Sequence, residues 1–142
     1  MMKIYSMDEL SEYCPKIPLM EFGVPAGFPS PARDYVENCL SLNELMIRNP
    51  PATYFVRIEG FSMIGANLRN GDIVIVDKSI EPYSNSIVIA VIDGEVTVKR
   101  LKIIKGEYWL YPENDRYNAM KISKNDDFTI FGVVTWILHQ AR

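Results

Sequence analysis

The sequence is poor in the residues that build metal centres and histidine-dependent active sites. Its 142 residues include two cysteines, Cys14 and Cys39, and one histidine, His139. The cysteines form no Cys-x-x-Cys pair, so a zinc site is nearly excluded, as is a triad that uses histidine as its base. Two such cysteines are typical of reduced, structural thiols in a cytosolic protein. We expect no metal and no cofactor.

A long hydrophobic stretch and an excess of basic charge are also missing. The longest apolar run, residues 131–138, is far shorter than the roughly 20 residues that span a bilayer. The N-terminus lacks the basic flank and apolar core of a signal peptide. The net charge of −3 and the pI near 5.2 provide no basic footprint for DNA. We therefore predict a cytoplasmic protein with no membrane anchor and no direct sequence-specific DNA binding.

The chain is long enough for one domain with a single core, and 48% of its residues are hydrophobic. A proline-rich arm precedes the predicted domain. Five of the nine prolines lie within residues 15–31, where they disfavour helix and interior strand and predict an extended arm. Capping and apolar spacing predict short helical segments over residues 6–14, 30–36 and 41–49, the last with a capping box from Ser41 to Glu44.

After residue 52 the pattern changes to β-branched and aromatic runs bounded by turn residues. These runs cover residues 54–58, 73–77, 87–92, 96–104, 108–111 and 128–138. Asp93-Gly94 is a strong two-residue hairpin signal, and Lys105-Gly106 predicts a second hairpin. The sequence thus predicts a mainly β fold: a compact, curled, antiparallel domain of six or seven strands with short helices and an extended N-terminal arm.

The stretch 53–77 is the most informative part of this domain. It reads as a strand, a tight turn that contains Gly60 and Ser62, a short helical turn and a second strand. Such a turn presents the Ser62 hydroxyl together with backbone N–H groups, and the helical turn that follows would direct its first donors to the same place. The competing interpretation is that Ser62 only caps that helical turn.

Lys99 is the residue that would activate this hydroxyl. By strand alternation it shares a mainly apolar face with Thr97, Leu101 and Ile103, while Arg100 and Lys102 lie on the opposite face and look like a solvated pair. Burial lowers the pKa of a lysine, and a neutral lysine can act as general base for serine. The chain has nine serines and eight lysines, so the pair alone proves little. The alternative is an edge-strand lysine that extends to water.

Beyond this pair, the chain resembles the LexA/UmuD family of self-cleaving serine–lysine peptidases, and in particular its UmuD branch. The matching segments follow the family order over nearly the whole chain: GFPSPARDYVE (27–37), LNELMIRNPPATYFVRIEGFSM (42–63), NGDIVIVD (70–77), IDGEVTVKRL (92–101) and FGVV (131–134). The resemblance implies a fold shared with LexA, UmuD and signal peptidase. It also implies that Ser62 of the G-x-S-M turn is the nucleophile and Lys99 of the TVK strand its base.

The same resemblance implies self-cleavage between Ala26 and Gly27, just before the FPSP segment. The chain would then consist of an arm removed by cleavage (1–26), a connecting arm with short helices (27–52) and a peptidase domain (53–142). Small side chains at the cut bond agree with a shallow site and a close backbone approach. The backbone N–H groups of Phe61 and Ser62 are our candidates for the oxyanion hole. Whether the arm reaches its own site or a partner's stays open.

Members of this branch form homodimers, and RecA filaments on single-stranded DNA stimulate their cleavage after DNA damage. The resemblance implies that the trimmed dimer serves an error-prone, UmuC-type Y-family polymerase in translesion synthesis during the SOS response. Two positions depart from the branch: Phe61 stands where an acidic residue is common, and Ala26 where cysteine is common. Neither departure removes a catalytic group.

Other functions fit less well. A LexA-type repressor would need a DNA-binding domain before the cut bond, where the sequence has 26 residues with more acidic than basic side chains. A signal peptidase shares the Ser–Lys chemistry but needs a membrane anchor. The alternative that stays open is a non-catalytic, dimeric polymerase-binding module whose Ser–Lys site is vestigial or very slow.

Overall fold

The computed structural model of this chain describes residues 17–20, 23–28 and 37–141. The chain divides into two compact units, Met1–Arg48 and Asn49–Arg142. The predicted boundaries at residues 26 and 52 stay predictions. The helical segments predicted over residues 6–14 and 30–36 lie outside the described residues.

Within the first unit, two short strands pair in an antiparallel sheet. Strand β1 (Ile17–Met20) lies beside β2 (Glu37–Leu40), with Pro18 opposite Cys39. The sequence predicted the arm as extended but did not predict a paired strand in it. Both strands of a two-stranded sheet are edges, and an edge strand tolerates proline because one side of it needs no backbone donors.

The predicted helix after Ser41 is confirmed, in shorter form. Helix α1 covers Leu42–Met46, and the Ser41 side chain accepts a hydrogen bond from the Glu44 N–H group at 3.5 Å. This is the serine half of the predicted capping box. The helix ends at Met46 rather than at Asn49, ahead of a short 3₁₀ helix, Pro50–Ala52, that opens the second unit.

The second unit is built on one antiparallel sheet of seven strands, as the sequence predicted. The strands are β3 (Thr53–Arg57), β4 (Ile73–Asp77), β5 (Ile87–Ile92), β6 (Glu95–Ile104), β7 (Glu107–Tyr111), β8 (Met120–Lys121) and β9 (Phe128–Leu138). Their order is β3-β4-β9-β5-β6-β7-β8, and among the described residues the sheet does not close on itself. All six predicted strands are present, and only the two-residue β8 was not predicted.

Two of the connections follow from local turn chemistry. Asp93 and Gly94 join β5 to β6 with φ angles of 49° and 81°, and Lys105 and Gly106 join β6 to β7 with 52° and 76°. Two successive positive φ angles are those of a type I′ hairpin turn, whose twist matches the flanking strands. Both predicted hairpins are therefore confirmed.

Apolar side chains are buried on both faces of the sheet. One cluster consists of Ile58, Met63, Leu68, Val74, Val76, Ile89 and Val98. The other consists of Val88, Ala90, Leu101, Leu110 and Val133. The neighbours Val88 and Ile89 belong to different clusters because successive residues of a strand point to opposite faces. Among the described residues, no helix is long and apolar enough to cross a membrane.

This two-sided core corrects one detail of the sequence interpretation. The sequence interpretation took Arg100 and Lys102 for a solvated pair, but their face of β6 also carries Val98, which is 8% exposed and belongs to the first cluster. Arg100, on the same face, is partly buried and paired with Glu113. Alternation along β6 was read correctly, but a strand with core on both sides has no fully solvated face.

Candidate active site at Ser62 and Lys99

Ser62 lies on a turn that leaves the end of β3 and is held at both sides. Gly60 has a φ angle of 95°, a region open mainly to glycine, and its N–H group donates to Asn70 Oδ1 at 2.8 Å. The side chains of Ile58 before the turn and Met63 after it are buried in the core. The turn therefore fixes the half-buried Ser62 between two anchors.

The Lys99 ammonium group reaches this serine from the middle of β6. Lys99 Nζ donates to Ser62 Oγ at 2.9 Å, to Thr97 Oγ1 at 2.9 Å and to the Val98 carbonyl oxygen at 3.0 Å. Three acceptors occupy the three donors of an ammonium group, so its position is fully specified. The structure thus brings together two residues that are 37 positions apart in the sequence.

Burial lowers the pKa of the Lys99 side chain below its ordinary value of 10.5, because a charged ammonium loses water contacts there. The competing interpretation, a lysine that extends to water, does not fit, because Lys99 Nζ is hydrogen-bonded to three protein acceptors, although β7 pairs with β6 only from Arg100 onward. A lysine with a lowered pKa, hydrogen-bonded to a serine hydroxyl, is the arrangement that allows proton transfer between the two.

The sequence predicted that backbone N–H groups of the Ser62 turn and of the following helical turn point toward the site, and only some of them can do so. The N–H group of Ile64 points back to the Phe61 carbonyl at 3.4 Å, and that of Gly65 donates to the Glu113 carbonyl at 2.7 Å. The expectation that the helical turn after Ser62 supplies donors to the site is therefore wrong for these two groups. Within the described residues, the N–H groups of Phe61 and Ser62 donate no hydrogen bond, so both are free to bind another acceptor.

A cleft of about 330 Å³ opens beside the Ser62 hydroxyl. Its walls come from β3 with the residues after it, from β5 and from the start of β6, and five of its nine side chains are apolar. The nine are Val56, Arg57, Ile58, Glu59, Ser62, Ile89, Val96, Thr97 and Val98. A cleft that combines apolar side chains with a few polar groups is typical of a ligand-binding site.

His139 does not serve this site. Its Nδ1 atom lies 2.8 Å from the buried Asp72 carboxylate, and its Nε2 atom lies 2.9 Å from an Arg69 guanidinium nitrogen. An aspartate–histidine pair is thus present, but its outer nitrogen faces a cation rather than a hydroxyl. Among the described residues, no group of three or more His, Cys, Asp or Glu is placed to hold a metal ion.

The residues of the predicted cut bond, Ala26 and Gly27, lie in the first unit. They belong to the exposed segment 23–28, which bends at residues 26–28. Val24 is 79% exposed and Phe28 is 94% exposed, so the bond is flanked by accessible apolar side chains.

Sequence reasoning missed three contributors to the site. Thr97 supplies an acceptor to Lys99, and its position two residues earlier on the same strand could have indicated this. Glu113 and Asn114 contact the Ser62 turn through hydrogen bonds to its backbone. No local pattern marks these two, because a loop after β7 reaches the turn only in the folded sheet.

Comparison with known proteins places this geometry in context. A family model described as Peptidase S24-like matches residues 18–135, which include Ser62 and Lys99. Protein SamA of Salmonella typhimurium is 47% identical over 125 residues, which cover 88% of this chain and 86% of SamA. Protein ImpA of Escherichia coli is 44% identical over 88% of this chain and 85% of its own. Protein MucA of Escherichia coli is 41% identical over 84% and 82%.

Proposed function

This chain belongs to the Peptidase S24-like family, and from that premise we propose that it is a self-cleaving serine–lysine peptidase of the UmuD type. The observation that carries the proposal is the 2.9 Å contact between Lys99 Nζ and Ser62 Oγ, made by a lysine whose burial lowers its pKa. In this role Ser62 is the nucleophile, Lys99 is the general base, and the bond cut is Ala26–Gly27.

The chemistry begins with neutral Lys99. Its Nζ lone pair accepts the Ser62 hydroxyl proton, and Ser62 Oγ bonds to the carbonyl carbon of Ala26. The carbonyl oxygen becomes an oxyanion, which the free N–H groups of Phe61 and Ser62 would stabilise. When the carbon–nitrogen bond breaks, Lys99 returns its proton to the Gly27 amine, and the Ala26 acyl group stays on Ser62.

Release of the acyl group follows the same path with water. Lys99 takes a proton from a water molecule, the resulting hydroxide attacks the ester carbon, and Ser62 leaves as a hydroxyl when Lys99 returns the proton. The products are a fragment that ends at Ala26 and a chain that begins at Gly27. No metal or cofactor is needed for either step, because one residue carries the proton in both directions.

The biological role extends this proposal through the resemblance to UmuD. The chain is a homodimeric SOS mutagenesis protein whose cleavage RecA filaments on single-stranded DNA stimulate. Its trimmed form is the accessory subunit of an error-prone, UmuC-type Y-family polymerase in translesion synthesis. Identities of 41–47% to SamA, ImpA and MucA over most of each chain support a role in the same class of protein.

The test is intact mass spectrometry of the purified chain after incubation with RecA, single-stranded DNA and a nucleotide triphosphate. We expect a product that begins at Gly27 from the wild type and none from Ser62→Ala or Lys99→Ala. Lys124→Ala, which alters an exposed lysine far along the sequence from the site, is the matched control and should be cut like the wild type.

A second incubation at alkaline pH without RecA separates the peptidase from its activator, since a deprotonated Lys99 needs no partner to act as base. A wild type that stays uncut under both conditions would instead support the non-catalytic polymerase-binding module. A product that also forms from Ser62→Ala would assign the cut to a contaminating protease.

A further inference from the structure

A loop that follows β7 is hydrogen-bonded to the turn that carries Ser62. In this loop, residues 112–114, Asn114 Nδ2 donates to the Phe61 carbonyl at 2.8 Å, and the Glu113 N–H group donates to the Ser62 carbonyl at 2.7 Å. In return, the Glu113 carbonyl accepts from the Gly65 N–H group at 2.7 Å. Three hydrogen bonds thus join three residues of the turn to two residues of the 112–114 loop.

These bonds determine where two backbone N–H groups point. In a trans peptide the N–H bond lies opposite the carbonyl of the same peptide plane, and the described chain contains no cis peptide. Because the Phe61 carbonyl is held by Asn114, the Ser62 N–H group is turned away from the 112–114 loop. Because the Ser62 carbonyl is held by Glu113, the Met63 N–H group is also turned away.

Neither of these N–H groups donates a hydrogen bond within the described part of the chain. An oxyanion hole requires N–H donors whose orientation is fixed and which have no acceptor of their own. Such donors stabilise the transition state most, because they need no reorientation during the reaction. The Ser62 N–H group is one of the two donors proposed above for the Ala26 oxyanion. The 112–114 loop therefore acts on the same donor that the reaction would use.

The 112–114 loop is itself tied to the strand that carries Lys99. Arg100, the next residue of β6, pairs its Nε with Glu113 Oε1 at 2.5 Å, and its Nη1 donates to the Asn85 carbonyl at 2.6 Å. The two side chains are 26% and 33% exposed, so this pair is less open to water than the Lys121–Glu107 pair on the same sheet, at 48% and 53%. Strand β6 thus reaches the Ser62 turn twice, through Lys99 directly and through Arg100 by way of Glu113.

We propose that Arg100 and Glu113 are positioning residues for self-cleavage: their ion pair holds the 112–114 loop against the Ser62 turn and thereby keeps the Ser62 N–H group aimed at the developing oxyanion. This inference rests on the proposed function. It assigns to Arg100 a task that a solvated surface arginine would not have, and it makes the loop after β7 part of the site.

The test measures the first-order rate of self-cleavage across a pH series. We expect Glu113→Ala and Arg100→Ala to lower the plateau rate about 10-fold to 100-fold, the effect of a misplaced reacting geometry. The pH of half-maximal rate stays in place, because neither change touches a hydrogen bond of Lys99. Glu113→Gln keeps an acceptor for Arg100 and should recover most of the rate lost in Glu113→Ala.

A double-mutant cycle provides the second readout. The exchanged pair Arg100→Glu with Glu113→Arg restores opposite charges, so it should cleave faster than either single variant, which a purely structural loss at two sites would not produce. The matched control is Glu107→Ala, which breaks the Lys121–Glu107 pair at 3.0 Å without touching the Ser62 turn, and it should cleave at the wild-type rate.

The outcomes separate this inference from the proposed function. A wild type that never cuts itself overturns the proposed function, and the positioning role with it. A cleaving wild type with unchanged plateau rates in Glu113→Ala and Arg100→Ala overturns only the positioning role. A shifted pH midpoint with an unchanged plateau also overturns it, because the pair would then act on the charge of Lys99.

If Glu113→Ala does not fold, Asn114→Ala takes its place: slower cleavage supports the inference, and an unchanged rate overturns it.

Discussion

Gly65 lies so close to Glu113 that its N–H group donates to the Glu113 carbonyl oxygen at 2.7 Å, and a Cβ atom at position 65 would stand 2.7 Å from the same oxygen. Real Cβ atoms do not approach a backbone oxygen so closely, so any side chain here must displace the loop. The contact shows that glycine is required at this position for a steric reason, without any unusual φ angle.

Gly65→Ala is therefore expected to push the 112–114 loop away from the Ser62 turn. We expect self-cleavage to slow about tenfold or more, because small displacements of reacting groups have large effects on rate. The measurement is the rate of appearance of the Gly27-initiated product. Lys124→Ala, at an exposed position far along the sequence from the site, is the control, and equal rates for the two variants would contradict the prediction.

The lowered pKa of Lys99 predicts how stability depends on pH. Between the folded-state pKa and 10.5, the unfolded chain holds the Lys99 proton and the folded chain does not. The free energy of unfolding should therefore rise with pH across that window. Urea unfolding of Ser62→Ala, which stays uncut, should show this rise, and Ser62→Ala with Lys99→Met should lack it. Two curves with the same slope would contradict the prediction.

Thr97→Val removes the hydroxyl that accepts from Lys99 Nζ and keeps the shape of the side chain. The ammonium form loses one of its three acceptors, so the pKa of Lys99 falls further and the pH of half-maximal cleavage moves to lower values. The plateau rate should also fall, because Nζ is less firmly placed against Ser62. Thr129→Val, at an exposed position of β9, is the control, and a midpoint that stays in place in Thr97→Val would be the contrary result.

Gly132 of β9 should tolerate no side chain. A Cβ there would lie 2.6 Å from Val76 Cγ1 and 3.2 Å from the Asp77 carbonyl oxygen of the neighbouring strand β4. Gly132→Ala is expected to destabilise the fold by about 1–3 kcal/mol, the usual effect of overpacking a core. The midpoint of urea unfolding measures this, and an unshifted midpoint in Gly132→Ala would contradict it. Gly23→Ala is the control, since a Cβ there meets no atom within 4 Å.

The strands of the second unit could be predicted because their signals are local. β-Branched runs between turn residues located β3 to β7 and β9 to within one residue at each end. Asp93-Gly94 and Lys105-Gly106 placed two hairpins, since positive φ angles at a two-residue turn depend on the turn residues alone. The β1–β2 pair was missed because prolines in the arm mask an edge strand.

The reacting residues of the candidate site could be predicted from the sequence, but the residues that hold them in position could not. Gly60 and Ser62 mark a turn in the sequence itself, and alternation along β6 predicted an inward-facing Lys99. Arg100 was misread as a solvated side chain, whereas it pairs with Glu113 on a face of β6 that also carries Val98 of the first buried cluster. Glu113 comes from a loop after a different strand, and its partner could not be read from spacing.

The sequence by itself determined the elements, the hairpins and the identity of the residues that could react. Only the tertiary structure decided that β9 lies between β4 and β5, that Lys99 stands 2.9 Å from Ser62 Oγ, and that Glu113 holds the turn. The physical reason is the range of the interactions. Turns and strand propensities act between neighbours in the chain, whereas a hydrogen bond across 37 or more residues exists only when the whole sheet has formed.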